Sequence, residues 1–283
     1  MPIFSLPSPY GIGTVGRGAC EFADYIKKSG ADIWQVLPVG PTGYGNSPYQ
    51  SFSSFAGNPY FIDPEMLCED DIMKKDDLPE KVDGKEKIDY GKIYFSRRKM
   101  LRSAYEYSGK RLKNETEKFL FEHPDIKDYA FFMALKDKFG GRRYLDFPKC
   151  LVRREKSAME KYAALLSDEI NYYAFEQYLF FSQWKRLREY VNSIGIDILG
   201  DMPIYVAPDS ADVWANPRSF QLDRDRRPRF VAGVPPDYFS EDGQKWGNPL
   251  YDWKYMKNHG YDFFVRRARA AAELFDSVRL DHF

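Results

Sequence analysis

The sequence has 283 residues and balances 42 Lys or Arg against 42 Asp or Glu, so its formal net charge is zero. Proteins that bind nucleic acid need a basic surplus to neutralise phosphates, so this balance argues against a nucleic-acid partner. No apolar run is long enough to cross a bilayer and no secretory leader begins the chain, which argues against a membrane partner.

The first forty residues have the pattern of a strand–helix–strand unit. Residues 1–6 are apolar and are predicted to form a strand, followed by a Gly/Pro-rich loop over residues 7–13. An amphipathic helix is predicted over about residues 18–29 and ends at Gly30. Residues 33–39 then predict a buried strand. Strand, helix and strand at this spacing indicate a parallel pair of strands.

A long loop and a helical region follow. Residues 40–62 are polar and aromatic, and loops of more than about 15 residues in compact domains are usually functional or disordered. Their aromatic content argues against disorder. Apolar residues then repeat at helical spacing over residues 93–104, 129–139 and 168–194. One crossover helix needs far less chain than this, so residues 69–160 are predicted to form a helical insertion.

Two of these helices carry more detailed signals. The longest has Ser167 at its predicted N-cap and Gly195 at its C-terminal stop, and its many aromatic residues are assigned to the core. The inward face predicted for the helix around residue 100 consists of Ile93, Arg97, Met100, Leu101 and Ala104.

The last ninety residues alternate strands with loops. Residues 196–204 predict a buried strand, a hairpin is predicted around residues 223–228, and a helix over about residues 251–275 leads into a final strand. In that final strand Arg279 and Asp281 are two residues apart, so they share one face.

The predicted fold is α/β, with four strands that are all able to pair in parallel. Polar and aromatic residues follow the carboxyl ends of the strands, as in a (β/α)8 TIM barrel or a doubly wound sheet. The long loops favour the barrel. Four strands are half a barrel and would leave an open edge, so we expect a fragment of a longer protein. The predicted divisions are residues 1–68 (strands 1–2 and a substrate loop), 69–160 (insertion) and 161–283 (strands 3–4).

The end of the last strand carries the strongest candidate for chemistry. The Arg279 guanidinium beside Asp281 is expected to favour the ionised carboxylate and lower its pKa. Such a carboxylate is either a nucleophile or half of a structural ion pair. Asp201, at another strand end, is either a site carboxylate or a turn cap. His282 points away from Asp281 in a regular strand, but can donate to a substrate if the strand ends there.

Aromatic residues and cysteines add weaker indications. Cys20, Cys68 and Cys150 form no CxxC or CxxH pair, which indicates reduced thiols of a cytosolic protein with neither a zinc site nor a disulfide framework. Aromatics make up 17% of the chain, and those in loops are either core residues or platforms for sugar rings. These loop aromatics are Tyr49, Tyr60, Trp214, Tyr238, Trp246 and Trp253.

Six sequence blocks together resemble the 4-α-glucanotransferases, also called amylomaltases, of glycoside hydrolase family 77. They occur in the family's order along the whole chain, and together they are specific although each alone is weak. No block falls in the predicted insertion. The blocks are residues 5–13, 45–50, 200–203, 233–239, 246–249 and 279–283.

The resemblance implies a (β/α)8 barrel that transfers α-1,4-glucan segments with retention of configuration. It implies that Asp281 is the nucleophile, that Arg279 keeps it ionised, that Asp201 belongs to the same subsite and that Tyr49 lies beside the sugar. It also implies glucans and maltooligosaccharides as partners, no metal or cofactor, and an acid/base glutamate on a later strand, so we expect the 283 residues alone to be inactive. Further substrate contacts implied are Trp246 and Asn248 in a cleft-covering loop and, more weakly, Ser47, Asp237 and His282.

Two other functions stay open at this stage. An α-glucan hydrolase of related architecture would use the same carboxylate chemistry, with water in place of the acceptor sugar. A non-catalytic glucan-binding protein would use the loop aromatics alone.

Overall fold

Three parallel strands form the sheet that organises the chain. The structure is a computed structural model that describes residues 1–43, 45–82, 87–236, 238 and 240–282. The strands in the described residues are β1 (Ile33–Gln35), β2 (Asp197–Pro203), β3 (Val231–Val234), β4 (Gln244–Pro249) and β5 (Ser277–Asp281). The sheet has the order β1-β2-β5, with Trp34 opposite Ile198 and Asp201 opposite Arg279. A separate antiparallel pair is formed by β3 and β4.

The predicted strand over residues 1–6 is wrong. Ile3–Ser5 form a 3-10 turn, and the Leu6 amide donates to the Ile3 carbonyl. The chain then folds back, and the Gly13 amide donates to the Phe4 carbonyl at 3.1 Å. A side chain at Gly13 would collide with the Ile3 carbonyl, so only glycine permits this close approach. The turn buries Ile3 and Leu6 without any strand pairing. The parallel sheet therefore contains three strands within the described residues, and not the four predicted.

The predicted strand over residues 33–39 is shorter than expected. Only three residues pair with β2, and within them Trp34 is buried while Ile33 is 58% exposed. The Trp34 indole donates to the Met1 carbonyl, which fixes the amino-terminal segment against the sheet. Val36 and Val39 are buried beyond the end of the strand.

Helices fill the interval between β1 and β2. The five residues predicted for the inward face of the helix around residue 100 are all buried, which confirms the periodicity. The long helix begins at Ser167, one residue after its N-cap Leu166, and ends before Gly195, whose φ of +76° stops it as predicted. The helices in this interval are α2 (Pro64–Glu69), α3 (Tyr90–Ser108), α4 (Lys113–Glu122), α5 (Pro124–Lys138), α6 (Lys149–Val152), α7 (Lys156–Leu165) and α8 (Ser167–Ser193), and α1 (Arg17–Lys28) precedes β1.

The core lies between α8 and its neighbours. α8 packs against α5, α4 and α1 as well as against β2, so its middle turns are buried on most sides. The Trp184 indole of α8 donates to the Leu274 carbonyl at 2.8 Å and thereby connects α8 to the chain that leads into β5. The boundaries at residues 68 and 160 stay a prediction.

Between β2 and β5 the chain differs from the single predicted helix. The helix over residues 251–275 is divided, because Tyr261 adopts a left-handed conformation at φ 55°. The predicted turn around residues 223–228 is confirmed by an antiparallel bridge between Leu222 and Pro228. No helix in the described part of the chain is long and apolar enough to cross a membrane. The helices here are α9 (Ala211–Ala215), α10 (Trp253–Asn258) and α11 (Asp262–Leu274).

Candidate functional site

The carboxyl ends of β2 and β5 bring two carboxylates onto one guanidinium. Because Asp201 pairs in register with Arg279, their side chains lie on the same face of the sheet. Arg279 Nε donates to Asp201 Oδ1 at 2.9 Å, and Nη2 donates to Asp201 Oδ2 at 3.0 Å. The same Nη2 donates to Asp281 Oδ1 at 2.8 Å. One fixed cation therefore compensates two negative charges that would otherwise repel each other.

The two carboxylates differ in their access to solvent. The Asp201 side chain is completely buried, whereas 19% of the Asp281 side chain is exposed. Asp201 also accepts a hydrogen bond of 2.8 Å from the Tyr49 hydroxyl, so both of its oxygens are occupied by donors. Asp281 is consequently the carboxylate that a ligand can reach. Asp201 instead holds Arg279 and Tyr49 in position.

Tyr49 reaches this position from the long loop that precedes the helices. The loop closes through an antiparallel bridge between Thr42 and Ser51 and through the Gly43 amide, which donates to the Gln50 carbonyl at 3.1 Å. Burial, the hydrogen bond to Asp201 and the negative charge of both carboxylates together raise the pKa of Tyr49 to about 12. The hydroxyl therefore stays protonated at neutral pH and remains a donor.

An open cleft of about 710 Å³ lies above Asp281. β4 places Trp246 on its wall, with the indole ring 4.7 Å from the His282 ring. β5 ends at Asp281 and His282 follows in a left-handed conformation, which places its Nε2 3.5 Å from Asp281 Oδ2. The strand thus ends before His282, which was the condition for a contact with substrate, and the contact itself stays a prediction.

A second loop contact closes the far side of the cleft. Asn248 is buried, and its side-chain amide donates to the Val206 carbonyl at 2.8 Å. Its oxygen accepts from Gln50 Nε2 at 3.3 Å, which connects β4 to the loop that carries Tyr49. Asn248 is therefore positioned by protein contacts on both ends of its amide group.

Most of the residues predicted from sequence converge on this cleft. Asp201 and Arg279 lie behind Asp281 and hold it. Asp237 lies outside the described residues, so its predicted contact stays a prediction. The predicted residues that line the cleft are Ser47, Tyr49, Trp246, Asn248, Asp281 and His282.

Of the two interpretations left open for the loop aromatics, Trp214 fits the core one. Trp214 is 1% exposed, lies on the short helix α9, and donates from its indole to the Leu151 carbonyl at 2.8 Å. The Arg154 guanidinium covers its ring at 4.1 Å. Its position in a polar stretch left this packing role undecided from the sequence. Trp253 is 46% exposed, and its ring lies 5.1 Å from that of Tyr251.

Six residues that line the cleft were not predicted as site residues, namely Gln50, Pro203, Ile204, Tyr205, Val234 and Gln244. Tyr205 follows the end of β2 by two residues, so the strand-end rule that selected Asp201 could also have selected it. Its ring stacks on the buried ring of Tyr251, with centroids 6.0 Å apart. Among the residues with described positions, no group of three or more His, Cys, Asp or Glu side chains is arranged to hold a metal ion.

Comparison with known proteins points to a single family. A family model described as 4-alpha-glucanotransferase matches residues 1–283. The 4-alpha-glucanotransferases of Thermus thermophilus and Clostridium butyricum are 48% and 47% identical to the chain and match 99% and 100% of it. The chain spans only 56% and 59% of the length of these two relatives.

Two solved structures extend the comparison. An amylomaltase from Streptococcus agalactiae in complex with acarbose is 42% identical, with a TM-score of 0.96 over 100% of this chain and 58% of the amylomaltase. An amylomaltase from Corynebacterium glutamicum is 19% identical, with a TM-score of 0.73 over 99% of this chain and 40% of that structure, which indicates a shared fold.

Proposed function

The chain belongs to the 4-alpha-glucanotransferase family, glycoside hydrolase family 77, and from this premise we propose the activity of the protein that carries it. That protein transfers α-1,4-glucan segments to glucose or to another glucan by a retaining double displacement. The observation that supports this most directly is Asp281, a partly exposed carboxylate held by Arg279 at the base of a cleft large enough for sugar rings.

Asp281 is the nucleophile in this proposal. Arg279 holds Oδ1, which leaves Oδ2 on the side of His282 to attack the anomeric carbon. A retaining enzyme also needs an acid/base carboxyl about 5 Å from the nucleophile to protonate the departing glycosidic oxygen. We assign that role to a glutamate outside these 283 residues. A sugar hydroxyl then displaces Asp281 from the glycosyl–enzyme ester, and the anomeric configuration is retained.

The aromatic walls favour transfer over hydrolysis in this scheme. Tyr49, Tyr205 and Trp246 line the cleft and offer ring faces against which the apolar faces of sugars can pack. An acceptor sugar held there excludes water from the ester. Ser47, Asn248 and His282 supply hydrogen bonds to hydroxyl groups, and Asp237 is retained as a further proposed contact.

The architecture proposed for the whole protein is a (β/α)8 barrel. The parallel order β1-β2-β5 supports adjacent barrel strands, with residues 69–160 as a helical insertion between the first two. We also propose that the protein is cytosolic and acts on maltooligosaccharides and longer α-1,4-glucans.

Incubation of the full-length protein with maltotriose tests the proposal. Transfer predicts glucose together with oligosaccharides longer than maltotriose, separated by chromatography. A rise in reducing ends without longer products would instead establish a hydrolase. Binding of maltooligosaccharides with no change in their lengths would establish a non-catalytic binding protein.

A further inference from the structure

A buried arginine lies beneath the cleft without lining it. Arg267, on α11, is 1% exposed and uses all three of its guanidinium nitrogens as donors. Nη2 donates to the Pro203 carbonyl at 2.5 Å and Nη1 to the Ile204 carbonyl at 2.7 Å. Nε donates to the Ser54 hydroxyl at 3.2 Å. Two of these acceptors are consecutive carbonyls at the end of β2.

Tyr251 forms a second link between Arg267 and the Ile204 carbonyl. Arg267 Nη1 also donates to the Tyr251 hydroxyl at 2.6 Å, and that hydroxyl donates to the Ile204 carbonyl at 2.6 Å. The Tyr251 ring is itself buried and stacks on Tyr205, which lines the cleft. Arg267 therefore fixes both the backbone and the aromatic support of the cleft floor formed by Pro203, Ile204 and Tyr205.

The same floor contacts the candidate nucleophile. The Ile204 amide donates to the Asp281 carbonyl at 3.2 Å, so one peptide segment is held by Arg267 on one side and holds Asp281 on the other. α11 also leads directly into β5, the strand that carries Asp281. A displacement of the guanidinium would therefore change the position of Asp281 relative to Tyr205.

The charge of Arg267 has no carboxylate in direct hydrogen-bond contact among the described residues. The nearest compensation comes through Ser54, whose amide donates to Asp212 Oδ2 at 2.8 Å while its hydroxyl accepts from Arg267. Asp212 is also buried, at 2% exposure. Burying a cation that binds neutral acceptors costs free energy, which a purely apolar contact would avoid. A role beyond packing explains why the position carries an arginine.

We propose that Arg267 is a positioning residue of the transfer reaction. It acts through the carbonyls of Pro203 and Ile204 and through Tyr251. These contacts fix the position of the cleft floor relative to the carboxylate of Asp281. The proposal rests on the transferase function proposed above. Misplacement of reacting groups by about 1 Å costs roughly 100-fold in rate, so loss of this support should reduce kcat more than substrate binding.

Adjacent arginines on α11 provide a matched control. Arg266 is also partly buried, but its guanidinium donates to a different set of partners, Asp125, Asn216 and Asp262. Both residues connect α11 to other parts of the protein, and only Arg267 reaches the cleft floor. A purely structural role therefore predicts similar behaviour of the two variants in the folded state.

The test measures kcat and KM for maltotriose in full-length Arg267→Met, Arg267→Lys and Arg266→Met, each well below its own Tm. Arg267→Met is expected to lower kcat by about 10- to 100-fold with KM changed by less than about threefold. Arg267→Lys should recover part of the loss, because one ammonium can still donate to the two carbonyls. Arg266→Met should lower Tm with kcat within about twofold of the unsubstituted enzyme.

Three results separate the possibilities. Equal kcat values for folded Arg267→Met and Arg266→Met overturn the positioning role and leave the transferase function intact. Absence of longer oligosaccharides with the unsubstituted protein overturns both. If Arg267→Met does not fold, Tyr251→Phe replaces it and should lower kcat by about three- to tenfold; an unchanged kcat in that variant overturns the positioning role.

Discussion

The protein arranges charged groups in two different ways in two of its polar regions. At the edge formed by the ends of β2 and β5, Asp201 and Asp281 share the Arg279 guanidinium, and Tyr49 adds a further donor. A second cavity of about 570 Å³ lies beside α3, α5 and α8, and we call it the helical-layer cavity. Its lining includes the Arg98–Asp137 ion pair, but two other charged residues are matched less completely than those at the strand ends.

The helical-layer cavity shows this mismatch at two residues. Arg97 is 1% exposed, and its Nε and Nη2 have no hydrogen-bond partner within the described ranges. Burial lowers its pKa to about 10. Glu176 on α8 is 4% exposed, and burial raises the pKa of its carboxyl to about 7. Burial governs the ionisation of these two groups, whereas a hydrogen-bonded ion-pair cluster holds the charges at the strand ends.

This difference predicts different roles for the two regions: the charged groups at the strand ends act in catalysis, and the buried charged groups of the helical-layer cavity lower the stability of the fold. A carboxylate must be charged and reachable to act as a nucleophile, and the paired edge allows both properties in Asp281. A carboxyl that is buried without a cation bonded to it has a raised pKa, because burial disfavours its charged form. Substitutions at the strand ends should therefore change activity, and substitutions in the helical-layer cavity should change stability.

The largest expected effect is that of Asp281→Asn in the full-length protein. Loss of the nucleophile should reduce maltotriose transfer by about 10⁴-fold or more, while glucan affinity changes little, because the amide keeps the shape of the side chain. Transfer rates and calorimetric binding of maltoheptaose measure the two quantities. The control is Asp276→Asn, which breaks a 2.7 Å pair with Arg188 at the other end of β5 and should leave kcat unchanged in the folded protein. Full activity of Asp281→Asn would exclude it as the nucleophile.

Arg279→Met should have the next largest effect. Without the guanidinium, Asp201 and Asp281 repel each other and Asp281 loses its orientation, so kcat should fall by about 100- to 1,000-fold. Arg279→Lys should lose less, because it retains the charge but not the two-pronged contact with Asp201. A Met variant as active as the Lys variant would show that the charge at this position is unimportant for catalysis.

Glu176→Gln should reverse the pattern and affect stability with little change in activity. Because the folded-state pKa of Glu176 is raised from 4.5 to about 7, the unsubstituted protein loses stability as pH rises through this interval. The glutamine variant does not titrate, so its advantage in unfolding free energy should grow to about 3 kcal/mol between pH 5 and pH 8.

Urea unfolding at pH 5 and pH 8 measures the Glu176 effect. Glu189→Gln on the exposed side of the same helix is the control, since 65% of that side chain is exposed and its substitution should give no such pH dependence. If the advantage of Glu176→Gln is the same at both pH values, burial does not control this carboxyl.

Tyr49→Phe tests the smallest of these contributions. It removes the 2.8 Å hydrogen bond to Asp201 but keeps the aromatic ring on the cleft wall, so kcat/KM should fall by about tenfold. Tyr105→Phe is the matched control, because it removes a 3.1 Å tyrosine–aspartate hydrogen bond between α3 and α8. Equal activity of the two variants would remove Tyr49 from the site.

Local periodicity determined much of this protein from sequence alone. The five inward positions of α3 and the stop at Gly195 follow from the 3.6-residue repeat and from the left-handed conformation that glycine tolerates. The shared face of Arg279 and Asp281 follows from the two-residue repeat of a strand. These features depend on residues that are close together in the sequence, so they can be predicted from the sequence alone.

Contacts between distant segments were decided by tertiary structure. Tyr49 and Asp201 are 152 residues apart, and only the parallel register and the loop closure bring them together. Residues 1–6 have the apolar pattern of a strand, yet a turn buries Ile3 and Leu6 and leaves Met1 exposed. Trp214 lies in a stretch with the local pattern of a loop and Arg267 carries a charge, yet both side chains are buried in the core. The contacts that bury each of these side chains come from residues far away in the sequence. A local sequence pattern contains no information about such distant partners.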